Sequence, residues 1–176
     1  MLTVCDYVFH VRPEALYYPS PGSFSIFPGQ PTGELYCGFL LVALFCTSSG
    51  WLLVREQPSR GLIKGLLSIF LFVLVYFLSG QFQDYPTAMN TSFFALWLGH
   101  LLTFRHGVRK ILVFSVLLGI AGPLLEGWAS EIGFLRYIDV DVYNVPFWLS
   151  GLYLNGALAV ATTIPVLESW RKKNNS

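Results

Sequence analysis

The chain has 176 residues, of which 54% are hydrophobic and 12% are charged, whereas a soluble domain usually carries about 25% charged residues. The formal net charge is +1, so no broad positive field favours a nucleic-acid partner. The three cysteines, Cys5, Cys37 and Cys46, form no CxxC motif, and we expect no metal site, disulfide framework or cofactor.

Residues 1–34 are predicted to form an N-terminal loop on the extracytosolic or lumenal side of a membrane. Prolines and glycines interrupt this region repeatedly, as is typical of loops. Its many tyrosines and phenylalanines suit a segment that lies among lipid headgroups. A partly disordered tail explains the same composition equally well.

Five apolar stretches follow, at 35–54, 65–83, 85–104, 111–125 and 146–167, and the fourth continues past Glu126 to residue 130. Each is long enough, or nearly so, to cross a hydrocarbon core of about 30 Å at about 1.5 Å per residue. The sequence therefore predicts an all-α integral membrane bundle of five transmembrane helices over residues 35–170.

The distribution of basic residues predicts the orientation of this bundle. Nine of the eleven basic residues follow the first, third and fifth stretches, so they share one side if all five stretches cross. The positive-inside rule makes that side cytosolic. The N-terminus is then outside, and residues 171–176 form a short basic cytosolic tail.

Glu126 is the first candidate for a functional side chain, because an ionisable residue within a span is costly and usually has a role. If the fourth helix begins at residue 111, Glu126 lies about 22 Å along it, still inside the core. Gly122 and Pro123 precede it, and a proline kink beside a carboxyl group can shape a small cavity. Alternatively, the helix ends near Leu125 and Glu126 is a solvated loop residue.

Three further polar or aromatic residues are candidate ligand contacts. His100 lies near the inner end of the third span with Trp97 one turn earlier, and a histidine there can bind a ligand or relay protons. Reaching the interface or bonding a neighbouring helix is the more common role. Asn155 lies within the fifth span, where hydrogen bonding between helices also explains it.

Four short stretches carry a family resemblance that covers about residues 16–166. They are ALYYPS at 15–20, GQFQDY at 80–85, LLTFR at 101–105 with Gly119 and Ile120, and ASEIGFLRY at 129–137 with Trp148, Leu149 and Tyr153. Their order resembles that of the insulin-induced gene (Insig) family, small polytopic proteins of the endoplasmic reticulum. Insig proteins have six helices and both ends in the cytosol, so the resemblance implies that the family's first helix is missing here.

This resemblance implies a regulator rather than an enzyme. Insig proteins bind a sterol or another lipid between helices and retain partner membrane proteins in the endoplasmic reticulum. Asp84 matches an aspartate that governs partner binding in the family. From the residues alone, Asp84 is a turn residue before Pro86 that caps the third predicted helix.

Two other functions remain open from the sequence. A small membrane enzyme of isoprenoid or lipid metabolism would use Glu126 as its general acid or base. A proton-coupled transporter would use Glu126 together with His100, although many transporters contain internal repeats and none is visible here.

Overall fold

A computed structural model describes residues 2–20, 22, 24–55, 57–104 and 106–175. Arg105, one of the nine basic residues that predict the orientation, lies outside this part of the chain. Six α-helices account for most of the described residues: α1 (Leu2–Asp6), α2 (Thr32–Val54), α3 (Leu62–Gln81), α4 (Pro86–Leu102), α5 (Val108–Glu131) and α6 (Trp148–Asn174). A π-helical segment (Tyr7–Val11) continues α1, and two strands of two residues each, β1 (Leu16–Tyr17) and β2 (Arg136–Tyr137), pair antiparallel.

The predicted all-α fold is confirmed, and its long apolar helices indicate a multi-pass membrane protein, but five crossings are not confirmed. Four helices are long and apolar enough to span a membrane, namely α2, α3, α5 and α6. The remaining long helix, α4, has 17 residues, which amounts to about 26 Å of the roughly 30 Å that a hydrocarbon core requires. It therefore falls short of the other four by length.

The centre of the bundle is α6, which packs against each of α2, α3, α4 and α5. In its most apolar stretch 72% of the residues are buried, against 11% in α2. Small side chains such as Gly151, Ala157 and Ala161 are buried on α6, and such residues allow membrane helices to approach closely. The outer helices expose leucine and phenylalanine, among them Leu41 on α2 and Phe70 on α3, as expected of surfaces that face lipid.

Two clusters of buried side chains define the two ends of the bundle. One cluster joins Val54, Phe104 and Ile111 to the middle of α6. The other joins Leu35, Met89 and the start of α6. We call the first the basic end, because most of the lysines and arginines lie there, and the second the acidic end, because eight of the ten acidic residues lie there. Successive long helices thus run in alternating directions.

The N-terminal region differs from the predicted loop, because residues 2–11 are helical and pack on the bundle at the acidic end. Gly80 near the end of α3 allows this contact. A Cβ atom at Gly80 would overlap the carbonyl oxygen of Phe9, so only glycine leaves room for that backbone. The opposite terminus also differs from the predicted tail, since α6 continues to Asn174.

Candidate functional site

A groove of a size that suits a small molecule lies between α3 and α4. The two helices are joined by a short turn at 82–85 and both pack on α6. Between them, in the half nearer the basic end, they leave an open groove of about 780 Å³. Its apolar lining comes from Leu67 and Leu71 of α3 and from Ala95, Leu96 and Gly99 of α4. Because Leu67 and Leu96 are exposed, the groove is accessible from the side of the bundle.

Two polar side chains, Ser68 and His100, face each other across this groove. The Oγ atom of Ser68 lies 3.5 Å from Nε2 of His100. Ser68 is fully buried and also lies within hydrogen-bonding distance of Thr162 Oγ1 on α6, at 3.4 Å. His100 stacks on Phe104, with 5.7 Å between ring centroids. The groove is therefore mainly apolar, and Ser68 and His100 form a polar pair within it that can bond a hydroxyl or ester oxygen of a ligand.

Arg60 and Lys64 lie at the mouth of the groove, at the basic end. The guanidinium group of Arg60 donates to the carbonyl oxygen of Thr103 at 3.0 Å and to its Oγ1 at 2.8 Å. It also lies 4.2 Å from the centroid of the Phe104 ring. Partial burial lowers the pKa of Arg60, but arginine remains a cation at neutral pH. Arg60 is thus a positive charge held in one place.

A second group of polar residues is buried at the acidic end, around the carboxylate of Asp6. That carboxylate accepts hydrogen bonds from the Tyr18 hydroxyl at 2.9 Å and from the Gln30 amide at 2.8 Å. Nδ1 of His10 lies 3.6 Å from it. Burial, and next the charge of Asp6, raise the pKa of Tyr18 well above its ordinary value, so the hydroxyl keeps its proton and remains a donor. We call Asp6, His10, Tyr18 and Gln30, together with Ser79, the polar latch.

The order Asp6, His10, Ser79 resembles the acid, base and nucleophile of a hydrolase triad, but its surroundings argue against catalysis. Nε2 of His10 lies 2.8 Å from Oγ of Ser79, and Ser79 is fully buried. Its single hydroxyl proton is donated to the carbonyl oxygen of Tyr76 at 2.7 Å. Ser79 therefore accepts from His10, and these groups tie the N-terminal segment to α3.

Glu126 lies within α5, which continues to Glu131, so the stretch predicted to continue past Glu126 is helical and the alternative of a helix that ends near Leu125 is wrong. The hydroxyls of Tyr137 and Tyr153 donate to its two carboxylate oxygens, the latter at 2.6 Å. Burial, and next the Glu126 carboxylate, raise the pKa of Tyr137 well above its ordinary value. Both carboxylate oxygens are therefore engaged by phenol groups.

The structure separates the residues that the sequence groups as a ligand site. His100 lines the groove, and Glu126 lies at the opposite end of the bundle. Trp97 packs against the basic-end cluster, where its Nε1 atom is buried without a hydrogen-bond partner among the described residues. Asn155 is buried and donates to the carbonyl oxygens of Phe93 on α4 and Gly151 on its own helix, at 3.0 and 2.8 Å.

Asp84 is exposed in the turn between α3 and α4. The N-cap residue of α4 is Tyr85, and no side chain caps this helix. The capping role expected for Asp84 is therefore wrong, whereas its place in a turn is confirmed.

Sequence reasoning missed the polar latch and the fixed arginine at the groove. Asp6 and His10 are four residues apart, the spacing that places two side chains on one helical face, but the prolines and glycines downstream favoured a loop. No sequence signal marked Arg60, because its partner Thr103 is 43 residues away.

The chain matches no family model, no curated protein and no solved structure. The groove, the latch and the sequence motifs are therefore the basis for any assignment of function.

Proposed function

We propose that this protein is an Insig-like membrane regulator that binds a sterol or another lipid in the α3–α4 groove and retains partner membrane proteins in the endoplasmic reticulum. The groove is the observation that carries the proposal. Its volume of about 780 Å³ is within the usual range for small-molecule sites, which are mainly apolar with a few placed polar groups. Here Ser68 and His100 supply those polar groups.

The proposal includes α4 as a fifth crossing. Met89 and Phe93 near its start pack in the acidic-end cluster, and Leu101 near its end packs in the basic-end cluster. A helix that joins the same two ends as its four longer neighbours requires only slight local thinning of the bilayer, a modest cost. The basic end then faces the cytosol, and the C-terminus with it.

Cysteine labelling tests this orientation. Single cysteines in place of Ser59 and Asp139, in a protein whose Cys5, Cys37 and Cys46 have been replaced, put one thiol at an exposed position of each end. A membrane-impermeant maleimide added to sealed microsomes is expected to modify position 59 and to reach position 139 only after permeabilisation. Modification of both positions before permeabilisation would contradict five crossings.

Substitution of Gly99 tests lipid binding. A Cβ atom at Gly99 meets nothing within 4 Å, so Gly99→Leu places a side chain in the groove without a clash and with better helix propensity. Gly38→Leu on the exposed face of α2 is the matched control, because its Cβ is equally free. A photoreactive sterol or acyl lipid is expected to label α3 and α4 in the wild type and in Gly38→Leu, and several-fold less in Gly99→Leu. Equal labelling of all three would refute the groove.

Asp84 is the proposed contact for a partner protein, on the strength of the Insig resemblance and of its exposure in the α3–α4 turn. Asp84→Ala is expected to reduce recovery of co-purifying membrane proteins. Asp139→Ala removes another exposed carboxylate at the same end and is expected to have no effect. Equal recovery with both variants would remove Asp84 from the proposal.

The enzyme hypothesis rests on Glu126 and its two tyrosine donors. A carboxylate acting as a base must reach a substrate proton, and the two phenols already occupy one acceptor site on each Glu126 oxygen. In Glu126→Gln, an NH₂ group replaces one of the two carboxylate oxygens. This group is a donor, so it faces the hydroxyl of one tyrosine, which is also a donor, and that hydrogen bond is lost. If the protein is a regulator, this variant is somewhat less stable but still binds lipid in the groove. Turnover of an added isoprenoid by the wild type, abolished in Glu126→Gln, would instead establish an enzyme.

A further inference from the structure

Arg60 and Lys64 form a positive site without a protein counter-charge in the described part of the chain. Two contacts between basic and acidic side chains occur among those residues: Arg171 with Glu168, and His10 with Asp6, which is an ion pair only when the imidazole is protonated. Neither involves Arg60 or Lys64. Arg60 is half-buried, and a cation removed from water without an anionic partner is costly. An external anion at this position would lower that cost.

These two cations also lie where two cavities of different character meet. The second cavity, of about 480 Å³, is formed by the loop 57–60 with Thr103, Phe104 and His106. Arg60, Lys64 and Thr103 line both this cavity and the α3–α4 groove. A compartment with hydroxyl, amide and imidazole groups therefore adjoins an apolar one, with positive charge at the junction. This order matches an amphiphile whose polar head, anionic group and apolar tail follow one another. The polar cavity would hold the head, the two cations the anionic group, and the groove the tail.

The position in the bilayer agrees with such a ligand. The junction lies at the basic end, next to the turns that carry most of the lysines and arginines. If that end faces the cytosol, the junction is at the level of the phosphate groups of the cytosolic leaflet, which is rich in anionic lipids. The open side of the groove would let an acyl chain enter laterally.

We propose that Arg60 and Lys64 bind the phosphate group of a phospholipid whose acyl chain occupies the α3–α4 groove. The proposal rests on the lipid-binding function above and narrows the lipid to an anionic phospholipid. Arg60, held by Thr103, presents its remaining guanidinium donors, and Lys64 adds a flexible ammonium group. A sterol, which has one neutral hydroxyl, would give neither cation an anionic partner beyond those in the described part of the chain.

The test compares lipids that share acyl chains and differ in the phosphate. The full-length protein in phosphatidylcholine nanodiscs is offered phosphatidic acid or diacylglycerol, and bound lipid is counted by native mass spectrometry. We expect phosphatidic acid to be preferred by about tenfold or more, since charge-assisted hydrogen bonds are the stronger class. Arg60→Gln with Lys64→Gln should remove the preference. Arg109→Gln with Lys110→Gln, which removes two exposed charges at the same end, should keep it.

Lys64→Gln alone controls for misfolding of the double variant. The Lys64 side chain is exposed, and its replacement leaves the contacts of Arg60 intact. It is expected to reduce the preference several-fold. Equal binding of both lipids by the wild type, or an unchanged preference in the double variant, would overturn the phosphate site while leaving lipid binding in the groove. Displacement of phosphatidic acid by millimolar inorganic phosphate would overturn it in favour of a site for free anions. If neither lipid nor a photoreactive sterol binds, the proposed function itself fails.

Discussion

Replacement of Asp6 by leucine is expected to detach the N-terminal segment from the bundle. Asp6 is only 3% exposed, and its carboxylate accepts from Tyr18 and Gln30. Leucine has a similar size but accepts no hydrogen bond, so both of these donors lose a partner in a place that water does not reach, as does the more distant Tyr76 hydroxyl at 3.5 Å. A buried donor left without a partner costs about 1–3 kcal/mol, and two such donors cost about 2–6 kcal/mol.

Hydrogen exchange measures this loss locally. The amides of Arg12 and Ala15 donate to the carbonyl oxygens of Tyr7 and His10, each at 2.8 Å, so they report on the π-helical segment. Even the lower cost of about 2 kcal/mol corresponds to roughly 30-fold faster exchange when opening is local. The helices α5 and α6 should keep their protection, because their shared interface does not involve Asp6.

Two variants separate the hydrogen bonds from other effects of the substitution. Asp6→Asn keeps one carbonyl acceptor and is expected to accelerate exchange less than Asp6→Leu. Glu14→Gln removes a carboxylate that is exposed on the same segment and should leave exchange unchanged. If Asp6→Leu stays within about twofold of the wild type, less than about 0.5 kcal/mol, the latch does not hold the segment.

Three further predictions concern packing and pH. Gly80→Ala should release the N-terminal segment as Asp6→Leu does, because its Cβ would overlap the Phe9 carbonyl oxygen; the same exchange measurement checks this. Asn155→Ala should lower the free energy of unfolding by about 0.6 kcal/mol, and by at most roughly 2 kcal/mol, as is typical of polar contacts between membrane helices. It should leave lipid labelling intact. Thermal denaturation in detergent measures the first effect, and photolabelling measures the second. The pKa values of Tyr18 and Tyr137 are raised in the folded protein, so the unfolded chain loses these two protons at lower pH than the folded protein does. The free energy of unfolding should therefore fall above about pH 10, by about 1.4 kcal/mol per pH unit for each tyrosine. Melting temperatures at about pH 9 and about pH 11, on either side of the ordinary tyrosine pKa, measure this loss. The drop in melting temperature between the two pH values should be smaller in the double variant Tyr18→Phe with Tyr137→Phe than in the wild type. An equal drop in both proteins would contradict the burial of these hydroxyls.

The long helices could be predicted because the length of an apolar run is a local property of the sequence. Their boundaries were less accurate where charge was used to end a span. The first predicted span begins at residue 35, after Glu34, whereas α2 begins at Thr32 and holds Glu34 in its first turn. A carboxylate in that turn interacts favourably with the helix dipole, so the charge belongs to the helix.

The fourth predicted span shows the same difference at its other end. The sequence left open whether the helix stops near Leu125, and α5 instead passes Pro123 and Glu126 without interruption. Tyr137 and Tyr153 make this possible by donating to the carboxylate. These donors lie 11 and 27 residues further along the chain, beyond the reach of a local pattern.

The polar latch and the groove could not be predicted either, because each depends on contacts between residues that are far apart in the sequence. His10 and Ser79 are separated by 69 positions, and Arg60 and Thr103 by 43. Hydropathy identifies which helices enter the membrane but not where two of them separate. Asp6, His10 and Arg60 are ordinary polar residues until the fold supplies their partners.

The latch and the groove are connected through α3. At the acidic end, α3 is fixed by the hydrogen bond from His10 to Ser79 and by the close contact of Gly80 with Phe9, and the short turn at 82–85 ties α4 to that end. The groove opens in the other half, where the contacts between α3 and α4 give way to lining residues such as Gly99. If α3 tilts as a rigid rod, its position at the latch determines its distance from α4 at the groove, so we expect the two to be coupled. Gly80→Ala should therefore reduce lipid labelling of α3 and α4 as well as freeing the N-terminal segment. Full labelling in a variant whose segment is released would show that the two ends are independent.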